Sequence, residues 1–222
     1  TRPLFRWLQR PMEETELQNI GFISKPETAT EFVQSHLRFA AGFPWHVRRN
    51  NLNTLDTHDT PRFKTFTLPG AQKVAAALQF TFPGIPMIWA GDEFGLDGVT
   101  GEMSRTPIPW NDERPSDPKL IETYSKLAAI RNSNLALTEG SLRFLGSSDE
   151  SFAFIREHSK QSILVVANRA GNDGLKLDRD ALGDVSAIEN IYGGGKIQVK
   201  KNTIRLPGKA MSVQIWRLPA SK

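Results

Sequence analysis

Asp56, His58, Asp59 and Arg62 fall within one stretch, Asn51-Leu52-Asn53-Thr54-Leu55-Asp56-Thr57-His58-Asp59-Thr60-Pro61-Arg62, where an apolar-containing run gives way abruptly to charge. These residue types serve as acids, bases and hydroxyl-binding groups. A buried strand that breaks the surface here would hand them to a loop, where parallel-sheet and barrel enzymes keep their chemistry. Pro61 enforces the turn, because its ring fixes φ and removes a backbone donor. The same string also reads as a plain strand end capped by Asx turns. His36 and His46 have no second His, Cys or carboxylate at metal-ligand spacing, so they read as surface or helix-face histidines.

The elements that must position the cluster follow from periodicity. In Pro3-Leu4-Phe5-Arg6-Trp7-Leu8-Gln9-Arg10, Leu4, Phe5 and Leu8 fall at helical spacing and give one packing face. Residues 28–39 read as a helix capped by Thr28 or Thr30, with an apolar stripe of Phe32, Val33, Leu37 and Phe39, ended by Gly42 and Pro44. Trp45, His46, Arg48 and Arg49 lead into the strand that carries the cluster. A second helix over 71–82 presents Val74, Ala75, Leu78 and Phe82 until Pro83-Gly84 stops it, and the apolar run 85–90 suits a strand covered on both faces. Strand, helix, strand implies a right-handed crossover in a parallel sheet. Residues 95–118 then form a long irregular loop, expected at the functional end of that sheet. A helix over 120–132 shows Leu120, Tyr124, Leu127 and Ile130 on one side.

Near Asn134 the period changes. Runs at 141–145, 151–156, 162–168, 196–199 and 212–216 are of strand type, separated by Gly, Asp, Asn and Ser clusters as in antiparallel hairpins. The expected organisation is α/β over 1–134 and a small all-β domain over 135–222.

Composition excludes several classes of partner. A net charge of +4, from 28 basic and 24 acidic residues, is mild and scattered, which points to a solvated surface and not to a nucleic-acid or membrane face. No run approaches the roughly eighteen apolar residues of a membrane span. The absence of cysteine removes disulfide and thiol chemistry, while 222 residues with 39% apolar content can bury a real core. The opening residues, Thr1-Arg2-Pro3, resemble neither a signal peptide nor an initiator, so the chain is expected to begin in mid-protein.

Three segments together resemble the alpha-amylase family of glycoside hydrolases. Thr54-Leu55-Asp56-Thr57-His58-Asp59-Thr60-Pro61-Arg62 is similar to its seventh-strand motif, and Pro83-Gly84-Ile85-Pro86-Met87-Ile88-Trp89-Ala90-Gly91-Asp92-Glu93-Phe94-Gly95 to its eighth-strand signature. Ser104-Arg105-Thr106-Pro107-Ile108-Pro109-Trp110 is similar to the loop that follows, and the runs around 152–156 and 165–169 to the terminal sandwich. The resemblance implies the C-terminal part of a (β/α)8 TIM barrel, strands seven and eight with their helices, followed by an antiparallel β-sandwich. It implies Asp59 as the carboxylate that binds sugar hydroxyls more tightly in the transition state, delivered into a sugar pocket by a strand tip, with His58 bonding the same sugar. Arg62 would touch substrate at the rim or pair with a carboxylate. Asp92 and Glu93 would brace the barrel end, and Trp110 would stack on a sugar or anchor the loop. No cofactor is implied, and no metal on this chain, since the family's calcium ligands lie mostly in earlier loops.

The family's nucleophile and general acid belong to earlier strands, and residues 1–50 contain neither motif. Asp173-Gly174-Leu175-Lys176-Leu177-Asp178 echoes the nucleophile strand but lies in the β region and on the wrong side of Asp59, so it is rejected. The expectation is one of three catalytic carboxylates, an α-glucan substrate, and barrel strands one to six supplied by another chain or removed. Without them the chain is expected to lack activity and stability, because the strand-seven edge would stand open. A glucan-binding module and a catalytically silent relative are the other two readings.

Overall fold

The computed structural model describes residues 2–20, 24–111, 116–183, 185 and 187–220. Helix α1 (Arg2–Leu8) buries Leu4, Phe5, Trp7 and Leu8, and α2 (Glu14–Asn19) opens on a Glu13/Glu16 capping box. Helix α3 (Ala29–Ala41) starts at Thr28: its hydroxyl accepts from Glu31 N at 3.1 Å while Glu31 returns a carboxylate to Thr28 N at 2.7 Å, satisfying two of the donors that a helix start leaves free. Phe32 and Val33 of its stripe are buried, but Leu37 and Phe39 stand open to solvent at 49% and 64%. The approach to the motif is itself helical, α4 (Trp45–Asn50), where the sequence suggested only a run-in.

Strand β1 (Leu52–Asn53), helix α5 (Ala71–Thr81) and strand β2 (Ile85–Pro86) form the expected strand–helix–strand unit, with β1 and β2 parallel in the register Leu52↔Ile85 and Asn53↔Pro86. The strands are far shorter than the apolar runs foretold. They are also not covered on both faces: Leu52 is 60%, Ile85 47% and Ile88 39% exposed. Helix α5, by contrast, is buried along its length, because helix α6 (Pro118–Asn132) packs on one side and the β region on another. A one-turn helix, α7 (Leu135–Thr138), leads into that region.

Strands β3 (Ser141–Ser147), β4 (Ser151–His158), β5 (Gln161–Asn168), β6 (Lys176–Asp178), β7 (Glu189–Tyr192), β8 (Gln198–Val199), β9 (Thr203–Arg205) and β10 (Ser212–Leu218) build two antiparallel sheets, β3-β4-β5-β10-β7 and β6-β9-β8. Side chains of β4, β5 and β10 alternate between two cores. Phe152, Phe154, Ile163, Val165 and Ile215 join the helices, while Ala153, Ile155, Leu164, Val166 and Trp216 meet Leu177, Ile204 and Leu206 of the smaller sheet. The rejected Asp173–Asp178 echo ends as β6, within that smaller sheet.

The helical and β regions thus share one core across residues 134/135. Phe82 stacks on Phe154 at 4.7 Å, and Phe32 meets Phe152 at 4.9 Å. Arginines seal the seam. Arg156 donates to Ser141 O, Gly140 O and, across the seam, Thr81 O at 2.6 Å; burial pushes its pKa down to about 9. Arg131 reaches Phe80 O at 2.8 Å, so two cations meet the carbonyls that end α5. Arg169 links Trp7 O and Glu27 O to the Glu150 carboxylate.

Candidate active site

The parallel pair is held by side chains as well as by its ladder. Met87 N donates to Asn53 O at 2.8 Å, and Gln79 of α5 donates to both Asn53 O and Met87 O at 2.9 and 2.7 Å. Past β1 the chain drops Leu55 and Asp56 into the interior and then turns. The turn is closed by Thr60 N to Thr57 O at 3.1 Å and by Thr57 N to the Thr60 hydroxyl at 2.9 Å, with Pro61 preventing continuation. His58 and Asp59 project from this turn, 69% and 72% exposed, with His58 Nε2 3.3 Å from Asp59 Oδ1.

The 100–105 loop supports the turn from beneath. Arg105 Nε donates to His58 O at 2.9 Å, and its guanidinium lies 3.7 Å from the Asp59 carboxylate. A Cβ on Gly101 would meet Asp59 backbone carbon at 3.1 Å, so glycine permits the close approach. Trp110 is 78% exposed, its ring nearly perpendicular to that of Phe94 at a centroid distance of 5.6 Å.

Arg62 does not reach the rim. It is 1% exposed, so the expectation of a substrate-touching arginine is corrected in favour of its other reading, pairing with a carboxylate. Its Nη1 donates to Asp92 Oδ1 at 2.9 Å, Nη2 to Ala90 O at 2.8 Å, and Nε and Nη2 to Ser104 O; the guanidinium lies 3.4 Å from the Trp89 ring centroid. Gly91 has φ 110°, and a Cβ there would strike Arg62 Nη2 at 2.7 Å. One buried cation therefore gathers the ends of both strands and the loop after β2.

Beneath the turn, Asp56 Oδ2 accepts from Phe63 N at 2.6 Å, and the Asp56 and Asp92 carboxyls are buried neighbours that act on each other's charge. Burial is the main force on both, raising Asp56 and pushing Asp92 up to about 9, with the neighbouring carboxyl adding to the rise at Asp92 and Arg62 opposing it. Asp92 thus braces the strand ends, with Glu93 accepting from Gly91 N at 2.9 Å. Asp56 is the residue that sequence reasoning left without a role. Its place two residues ahead of the His58-Asp59 pair was the one available signal, and its partner lies far along the chain.

A cavity of about 650 Å³ lies between α3, β1 and α5, bordered by Phe32, His36, Phe39, Leu52, Asn53 and Leu78; neither His58 nor Asp59 borders it. Asp59 stands on an open ledge, which departs from the expected placement inside a pocket. Among the described residues no group of three or more His, Cys, Asp or Glu is placed to hold a metal ion.

The family model described as "Alpha amylase, catalytic domain" matches residues 24–119, which hold the His58-Asp59 turn, Arg62 and Asp92. A cyclomaltodextrinase of Thermoanaerobacter pseudethanolicus is 37% identical over 126 residues, 56% of this chain and 22% of that protein, and one of Bacillus sp. is 36% identical over 151 residues, 66% and 27%. The chain belongs to the alpha-amylase family. The solved debranching enzyme of Nostoc punctiforme superposes with a TM-score of 0.83 at 22% identity, covering 96% of this chain and 45% of the other, so the two share a fold through both sheets. The chain spans about a quarter of the length of those two curated relatives and less than half of that enzyme.

Proposed function

We propose that this chain is the C-terminal portion of an alpha-amylase-family glycosidase that hydrolyses or transfers α-glucosidic bonds of starch- or maltodextrin-type glucans with retention of configuration. In this reading β1 and β2 are barrel strands seven and eight, residues 1–134 the end of the barrel domain, and residues 135–222 the terminal sandwich. Retaining glycosidases use a nucleophile and an acid/base carboxylate about 5–5.5 Å apart around an oxocarbenium-like state. Asp59 adds a third carboxylate that grips ring hydroxyls harder as the ring flattens, a contact that favours the transition state over bound substrate. His58, 3.3 Å away, bonds the same sugar. Strands one to six, with the other two carboxylates, come from another polypeptide segment. They would cover Leu37, Phe39, Leu52, Ile85 and Ile88 and wall the ledge on which Asp59 stands.

The observation that carries the reading is the joint exposure of His58 and Asp59 on a turn clamped from below by Arg62 and Arg105, on a matched family segment. The exposed ring of Trp110 also suits a sugar, and favours glucan binding by this chain without cleavage as the second reading. Mixing the chain with the segment encoded upstream of Thr1 and assaying maltodextrin cleavage separates the two. The expected result is activity that appears on mixing and falls at least about a hundredfold in Asp59→Asn, the scale of losing one transition-state contact. Glucan binding by the lone chain with no activity on mixing selects the binding module, and neither result selects a catalytically silent relative.

A further inference from the structure

Asp56 and Asp92 pose an accounting problem. Asp56 Oδ1 and Asp92 Oδ2 are buried, and no N–H or O–H of a described residue reaches either of them. Yet both carboxyls belong to one buried cluster, Asp56 through Phe63 N at 2.6 Å and Asp92 through Arg62, the residue before Phe63, at 2.9 Å, and two neighbouring carboxylates can form no hydrogen bond with each other, since both only accept. One proton resolves the problem: it makes one group a donor, satisfies both orphan oxygens and leaves a single negative charge. That charge is matched by Arg62, 2.9 Å from Asp92 Oδ1. The other ionisable groups around the pair are the Tyr124 hydroxyl on α6, whose pKa burial and the nearby carboxylates raise well above its ordinary value, and Glu93; neither supplies a second cation.

We propose that Asp56 and Asp92 hold one proton between them, and that this bridged pair is the positioning element of the His58–Asp59 turn. The proposal rests on the reading of Asp59 as a sugar-binding carboxylate for its functional meaning, but not for its physics. Asp56 fixes the start of the turn and, through Phe63 N, its far side, while Asp92 belongs to the segment after β2. The proton therefore adds a bond between the β1 tip and the β2 tip to those that Arg62 makes. Removing it leaves two buried negative charges against one guanidinium, and repulsion drives the tips apart. The pair titrates as a unit, so the proton is assigned to neither residue alone.

The test is a carboxyl ¹³C titration of the full chain, read with the backbone amides of Thr57, His58, Asp59 and Thr60. The expected result is that both Asp56 and Asp92 carbons report one common step above neutral pH, and that the turn amides shift at the same midpoint. Two separate steps in the ordinary carboxylate range overturn the shared proton. A common step that the turn amides ignore overturns the positioning role. Asp92→Asn supplies a permanent N–H donor in place of the proton and abolishes the alkaline step; Asp56→Asn does so from the other side if the first variant does not fold. Asp59→Asn leaves the titration unchanged, so loss or survival of the sugar-binding reading is decided separately.

Discussion

The seam between α5 and the five-stranded sheet and the tip that carries Asp59 are stabilised by different means. At the seam, the central strands bury both faces, aromatic rings from α1, α3, α5's C-terminal end and β4 interlock, and Arg156 and Arg131 use their donors on carbonyls that would otherwise be orphaned. At the tip the ladder is two residues long, apolar side chains face solvent, and order comes from one buried cation with two carboxyls. The contrast fits the proposal above, in which the β region is complete in this chain while the β1–β2 side is completed by other strands. The apolar side chains there are not buried within this chain, so polar bonds hold the tip in shape.

The contrast can be broken most severely at Arg62. Arg62→Ala leaves Asp92 buried without its cation and is expected to cost about 3–5 kcal/mol in urea unfolding. Its distinguishing mark is that amide exchange at Thr57–Arg62 and Trp89–Asp92 accelerates, while the central sheet strands keep their order of protection.

The seam should show its weakness on acidification. His36 is stacked on Phe82 at 4.9 Å with no hydrogen-bond partner for Nε2 among the described residues, and burial pushes its pKa down to about 4. The unfolded histidine takes up a proton near 6.5 while the folded one resists until about 4, so its contribution is whole above roughly pH 6.5 and is lost as pH falls toward 4. His36→Phe is expected to flatten melting temperature against pH across that window.

Thr28→Ala, which removes the α3 cap, should cost about 1 kcal/mol in the same urea experiment. The smallest effect is expected at the open side: Phe39→Ser should change the stability of the lone chain by less than about 0.5 kcal/mol, since its ring is already 64% exposed. The same change should weaken association with the upstream barrel segment, measured by titration calorimetry.

Legibility in the sequence followed the same divide. The runs at 152–155 and 163–167 are continuous in apolar residues because both sheet faces are covered, so the strands were readable without knowing what covered them. Strands β6, β7 and β9 were missed: β6 and β9 each bury one apolar residue, Leu177 and Ile204, and β7 buries none, too few to show a period. Helix α3 was legible down to its cap, but periodicity alone could not tell that Leu37 and Phe39 face open space: the pattern encodes an apolar face, not its partner. At the tip the motif residues exposed His58 and Asp59, whereas the role of Arg62 depends on Asp92, thirty residues away, and that of Asp56 on the same contact. Pairings across such separations are made by the fold and leave no local trace.

Amide exchange of the chain alone, repeated after adding the upstream barrel segment, tests the unfinished-barrel account most directly. The account predicts slow exchange in β4, β5 and β10 in both samples, and fast exchange at residues 53–55 and 87–90 that slows by orders of magnitude only on addition. Slow exchange across 53–55 and 87–90 in the lone monomer, equal to that of the sheet and unchanged by the added segment, would contradict it.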